Sequence, residues 1–341
     1  MKELLLELRR IAVVLLGLLP VVKAATEKNS LQTTACQAVQ ENMRPYFEGG
    51  VPENVAEQYR KAYGMNMPEM IHRLGAVAGA SGNLVVQTYQ PEQSQATILL
   101  VHGYLDNSST WRTTTPALLA LGFNVVLLDL PGHGFSDGTR ADIGDFAEYC
   151  EAVRTGIRFA HAWQPEQRLF LMGHSTGAGI EADVLLHGTS PCPVSAVILV
   201  APLLRSAHWK ASVTGMNLFG WLIDKVKISR NVKVSVPDQV NFMKSDPLQP
   251  ENLPTHWVQA LRKWVQYMEG TPSTWNGSAL ILTGDQDSVV DWQYNIPFYG
   301  RVFPRAKIVT IPGCGHLIPH ESPDIQTAYL TSVIDFLKRF L

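Results

Sequence analysis

Seven short apolar, β-branched runs, separated by helical segments of about ten to twenty residues, constrain this chain more than any other feature. They lie at Leu84 to Gln90, Ala96 to Gly103, Phe123 to Leu130, Arg168 to Ser175, Ser195 to Pro202, Ser278 to Asp285 and Ala306 to Gly313. Most are almost continuously apolar, as strands covered on both faces must be. Segments such as WRTTTPALLALG and DFAEYCEAVRTGIRFAHAW carry helical periodicity between them, VAEQYRKAYG reads as a helix before them, and a last helix is predicted from about Asp324 to Phe340. Strand and helix alternating in this way predict an α/β fold with a mostly parallel central sheet and helices on both faces. No internal repeat or low-complexity tract interrupts the pattern.

One stretch breaks the rhythm. Some seventy residues between Leu204 and Trp275 pass without a core strand, where a strand-to-helix connection usually needs about two to six. The stretch therefore reads as an insertion. It holds five of the eight tryptophans, Trp209, Trp221, Trp257, Trp264 and Trp275. Residues 205–244 carry seven Lys or Arg against Asp224 and Asp238, a local charge of +5 on a chain whose 28 basic and 30 acidic residues sum to −2. Two readings stand side by side: a helical subdomain with its own core and a solvated basic face, and a lid whose apolar underside receives a hydrophobic substrate. The near-zero total charge argues against a nucleic-acid partner.

At the amino end, Lys2, Arg9 and Arg10 precede a twelve-residue apolar run, Ile11 to Val22. As a helix it would reach about 18 Å, short of a hydrocarbon core of about 30 Å, so it cannot span a bilayer alone. Its proportions, with Val22-Lys23-Ala24 at its end, favour an export signal, with a membrane-surface helix and an ordinary packed helix as the other readings. The expected location is thus exported or membrane-associated, with the cytoplasm as the alternative. Four scattered cysteines, Cys36, Cys150, Cys192 and Cys314, form no CxxC pair and indicate neither a zinc cluster nor a dense disulfide framework.

Chemistry concentrates at Gly173-His174-Ser175-Thr176-Gly177, a G-x-S-x-G pattern between an apolar strand and a helical segment. A serine there sits on a turn so sharp that flanking backbones nearly touch, which requires glycine at 173 and 177. The helix that begins at Thr176 then points its N–H groups at the reacting centre. A serine hydroxyl needs a base, and the base needs a carboxylate to hold it, in the chain order Ser, acid, His. Asp285 and Asp287 follow the Ser278 strand, and His316 follows the Ala306 strand in the Gly-rich loop Gly313-Cys314-Gly315-His316. An oxyanion would need two N–H donors, supplied by Thr176 and, from the loop after the Ala96 strand, by Tyr104. The His316, His320, Glu321 spacing would suit a metal on a helix, but Pro319 breaks that helix, so no metal is expected. Cys314 reads as a small buried side chain.

Taken together, HGYLDNS, DLPGHGFSDG, GHSTGAG, GDQDSVV and GCGH resemble the α/β-hydrolase superfamily, and within it the monoacylglycerol lipase, lysophospholipase and serine-aminopeptidase-like (S33-type) group. Pro131, where the lipases usually have Arg, and Ala178, where a third glycine is common, depart from the pattern. The resemblance implies Asp287, three residues after Gly284, as the acid, and makes His133 of the GHGFS loop structural. It also implies a cap inserted at 204–275. The expected organisation is then a signal or membrane-associating helix (1–24), an N-terminal extension (25–68), a core in two parts (69–203 and 276–341) and the cap between them. The implied function is cofactor-free cleavage of carboxylic esters, lipid-like in character, with Ser175, His316 and Asp287 as triad. A membrane surface is an implied partner through the amino terminus and the basic cap. The alternatives are a peptidase or amidase of the same fold and a non-catalytic ligand-binding protein.

Overall fold

A computed structural model describes residues 30–67, 69–211, 213–214, 225–227 and 242–341. The segment expected to form an export or membrane-surface helix, 1–24, lies outside them, as do 215–224 and 228–241 of the expected cap. No helix among the described residues is long and apolar enough to cross a membrane.

Two helices come first, α1 (Ser30–Glu41) and α2 (Glu53–Tyr63). The sheet follows: β1 (Ile71–Gly79), β2 (Gly82–Gln90), β3 (Ala96–Val101), β4 (Phe123–Asp129), β5 (Arg168–His174), β6 (Ala196–Val200), β9 (Ser278–Gly284) and β10 (Ala306–Ile311). They assemble in the order β1-β2-β4-β3-β5-β6-β9-β10. β1, β2 and β4 pair antiparallel, and every later pairing is parallel. All seven expected strands are present, within an α/β architecture of the expected kind. β1 is an addition: its sequence, IHRLGAVAG, is rich in small residues and carries no run of large or β-branched ones, and it is fixed as an edge strand by pairing along its whole length with β2. β10 differs from the expected two-sided burial, because it closes the other edge and leaves Ile308 exposed.

The sheet separates two cores, and alternate residues of each central strand serve opposite sides. On β5, Leu169 and Leu171 enter one core while Phe170 and Met172 enter the other. The first core is completed by α3 (Phe146–Trp163), by α4 (Thr176–Leu186) and by α5 (Thr255–Glu269). A capping box starts α3: the Asp145 side chain accepts from the main chain and Glu148 reaches back to the Asp145 N–H. The second core takes in α1 and α2 through Val39, Tyr59 and Tyr63, and α6 (Pro323–Leu337) through Tyr329, Val333 and Phe336.

Of the inserted stretch, the short strands β7 (Lys225–Lys227) and β8 (Asn252–Pro254) form an antiparallel pair leading into α5. The apolar face of α5, including Trp257, Leu261, Trp264 and Met268, lies in the same cluster as the sheet and α3. This helix is therefore packed onto the main body.

Candidate active site

β5 ends at His174 and α4 begins at Thr176, which leaves Ser175 alone in the turn with φ 53 and ψ −113. That left-handed φ is uncommon for a residue with a side chain, and here the surroundings impose it. A Cβ on Gly173 would lie 2.4 Å from the Ala178 nitrogen, and one on Gly177 would lie 2.3 Å from the Val101 carbonyl oxygen. Both glycines are thus required by backbone contact, as the sequence pattern implied. The Ser175 N–H donates to the Val200 carbonyl at 2.9 Å, and the Leu203 N–H donates to the Ser175 carbonyl at 3.0 Å. The turn is held on both sides.

His316, on the loop after β10, places Nε2 3.0 Å from Ser175 Oγ and Nδ1 2.7 Å from Asp287 Oδ2. With Nδ1–H donating to the carboxylate, Nε2 carries the lone pair and faces the serine hydroxyl. The other oxygen of Asp287 accepts from the N–H groups of Val289 and Val290 at 2.8 and 3.0 Å. Burial alone would raise the Asp287 pKa, but the attraction of His316 and these hydrogen bonds outweigh it and hold the carboxyl below the usual carboxylate range. Asp285 points elsewhere and accepts the Gly313 N–H at 2.7 Å, bracing the loop that carries His316. The structure thus separates the two aspartates that the spacing left open.

The Tyr104 and Thr176 N–H groups donate to no other main-chain group among the described residues. Tyr104 lies in a turn closed by the Asp106 N–H donating to the Gly103 carbonyl at 3.2 Å, and Leu105 in that turn has φ 65. Its ring stacks on Trp257, and its hydroxyl donates to the Ala141 carbonyl at 2.6 Å. His133 is buried, donates from Nδ1 to the Pro131 carbonyl at 2.9 Å and packs against Tyr104. His320 shares a 3.1 Å hydrogen bond with Thr110, and Glu321 accepts from the Gly315 N–H at 3.2 Å, so both are engaged within the loops.

Spacing assigns no site role to Asp129 or Trp257, and it places His174 only within the elbow. Asp129, at the end of β4, accepts from the N–H and hydroxyl of Ser108 and from the Phe135 N–H, joining the loop after β3 to the GHGFS loop. His174 reaches the His316 main chain. Trp257 covers Tyr104. Each acts through a tertiary contact between residues distant in sequence, which spacing alone does not encode.

Residues 92–323, well over half of the chain, match the family model described as serine aminopeptidase, S33. The chain belongs to this S33 family of α/β-hydrolases. Among curated relatives of this S33 hydrolase is a monoglyceride lipase homolog of monkeypox virus, 23% identical over 244 residues that cover 70% of this chain and 88% of the relative. A phospholipase of Bacillus subtilis, YtpA, is 22% identical over 230 residues, covering 64% of this chain and 86% of that one. Among solved structures, a soluble variant of Saccharomyces cerevisiae monoglyceride lipase in complex with a substrate analogue superposes with a TM-score of 0.71 at 15% identity, covering 80% of this chain and 97% of that one. Family and relatives make this S33 hydrolase an ester hydrolase of the monoacylglycerol lipase-like group.

Proposed function

We propose that this hydrolase cleaves the ester of a single-chain lipid, a monoacylglycerol or a lysophospholipid, by acyl transfer through Ser175. The observation that carries the proposal is the continuous hydrogen-bonded line from Ser175 Oγ through His316 to Asp287. In the first half-reaction Ser175 Oγ attacks the ester carbonyl carbon while His316 Nε2 takes its proton. The carbonyl electron pair moves onto oxygen, where the Tyr104 and Thr176 N–H groups receive it. The tetrahedral species collapses, the C–O bond to the alcohol breaks, and His316 returns the proton to the leaving oxygen. Water then repeats the sequence on the acyl-serine, releasing the fatty acid and free Ser175. Asp287 fixes the imidazole tautomer and balances its transient positive charge.

A lipid-like substrate is supported by the relatives' own activities and by the aromatic, basic composition of 204–275, read here as a lid. The local positive charge of 205–244 would draw that lid to an anionic lipid surface, with the apolar amino-terminal run as a second attachment. Two measurements test the function. Ser175→Ala should abolish ester hydrolysis and leave the thermal unfolding midpoint within a few degrees. A chain-length series of p-nitrophenyl esters beside aminoacyl anilides should show decanoyl turnover above acetyl and no anilide cleavage. Faster acetyl turnover would overturn the lipid assignment, and anilide cleavage would establish a peptidase.

A further inference from the structure

We infer that Trp257 is a positioning residue for the oxyanion site, holding the Tyr104 N–H in place through the tyrosine ring. The inference deepens the proposed reaction and rests on it, since it presumes Tyr104 as an oxyanion donor. The geometry begins with the turn from Gly103 to Asp106. Leu105, its third residue, has φ 65, a conformation that favours glycine and that strains a residue carrying a side chain. A turn that carries such strain needs neighbours to keep it from relaxing.

Those neighbours converge on Tyr104. Its ring lies on Trp257 with centroids 3.6 Å apart and planes 14° from parallel. Its edge meets His133 at 5.5 Å, and its hydroxyl is tied to the Ala141 carbonyl at 2.6 Å. The peptide between Gly103 and Tyr104 is planar, so fixing the Tyr104 side chain and Cα limits where its N–H can point. The adjacent residue on α5, His256, lies 3.3 Å from Asp142, the neighbour of Ala141. One turn of α5 thereby grips both the tyrosine and the loop to which its hydroxyl is bonded.

Farther along the same helix, a second contact reaches the helix that begins at the other donor. Trp264 Nε1 donates to Asp183 Oδ2 at 2.7 Å, and Asp183 lies on α4, whose first residue is Thr176. Trp264 also stacks on Phe146 at 4.9 Å. α5 therefore works as a rigid bar that references the Tyr104 N–H and the Thr176 N–H to one element. Oxyanion stabilisation depends on fixed donor positions, so loosening one end of the bar should weaken transition-state binding more than substrate binding.

The test compares Trp257→Ala and Trp257→Phe with wild type, using p-nitrophenyl butyrate and a trifluoromethyl ketone that adds to Ser175 as a tetrahedral mimic. Trp257→Ala should lower kcat about 10- to 100-fold with KM little changed, and should weaken the ketone by a similar factor. Trp257→Phe, which keeps a ring over Tyr104, should recover most of both. Trp163→Ala, removing an aromatic at the C-terminal end of α3, where it stacks on Phe159, should leave kcat unchanged. A folded Trp257→Ala with wild-type kcat, or with a change confined to KM, would overturn the inference. If Trp257→Ala does not fold, the same outcomes are read from Trp257→Leu. Failure of the underlying reaction is separable, since it would appear as an active Ser175→Ala or a wild-type enzyme indifferent to the ketone.

Discussion

His174 Nε2 donates a hydrogen bond to the main-chain carbonyl of His316, 3.0 Å away. The residue before Ser175, the proposed nucleophile, thus holds the backbone of His316, the proposed base, and a movement of one is passed to the other. Burial, reinforced by the neighbouring His316, lowers the His174 imidazole to about 3, so it remains a neutral donor throughout the physiological range. His174→Ala should reduce kcat about tenfold with a smaller effect on KM, in line with the loss of one buried hydrogen bond. Steady-state kinetics on a soluble ester, beside a thermal melt to establish folding, would check it, and an unchanged kcat would remove His174 from the machinery.

The two aspartates after β9 should separate cleanly. Asp287→Asn leaves His316 Nδ1 without a charged acceptor and should lower kcat by about 10⁴, as a wrong imidazole tautomer does in serine hydrolases. Asp285→Asn keeps an oxygen for the Gly313 N–H and should stay close to wild type. Equal losses in both variants would mean that the loop, not the carboxylate, is what matters.

Glu181 is fully buried on α4. Burial pushes its carboxyl well above the usual range, only partly opposed by the Met172 main chain. The folded protein then holds a proton that the unfolded chain has released, so stability declines as pH rises above the ordinary glutamate value. The slope for one such group is about 1.4 kcal/mol per pH unit. Glu181→Gln should remove that slope. Urea midpoints measured upward from about pH 5 should show the variant gaining on wild type until the pH passes the raised folded-state value, whereas a constant gap would contradict the assignment.

Tyr63, at the end of α2, donates its hydroxyl to the buried carboxylate of Asp246, which also accepts from Asn107 Nδ2 at 2.8 Å. The helical segment ahead of the sheet is thereby joined to the inserted stretch at Asp246 and to the loop after β3. Tyr63→Phe should destabilise the protein by about 1–3 kcal/mol, the cost of depriving a buried acceptor of one donor. Denaturant unfolding measures this directly, and a neutral substitution would show that Asp246 is satisfied without the phenol.

The parts of this molecule that could be read from sequence are those in which chemistry demands particular neighbours in the chain. The elbow at Ser175 needs Gly173 and Gly177 because any Cβ there collides with backbone, and the strands are apolar because both faces are covered. β1 was hidden because its small residues give no run of large or β-branched side chains and its pairing with β2 supplies the order. The choice between Asp285 and Asp287 needed the family pattern beforehand, and the structure gives its reason in the differing directions of the two side chains. Trp257 read only as one aromatic among several in an insertion. Its position over Tyr104 depends on where α5 docks, which no local spacing specifies.

The alternation along β5 carries a consequence for how this sequence can vary. Leu169 and Leu171 face one side of the sheet, Phe170 and Met172 the other, and the same phase delivers Ser175 to its turn. A single-residue deletion or duplication within Arg168–His174 would exchange the two cores and rotate Ser175 out of reach of His316 in the same event. Substitutions can be absorbed there one at a time, but length cannot drift. Indels among descendants of this chain should therefore gather in connections such as Ala80-Ser81 between β1 and β2, and be missing from the strand that ends at the serine.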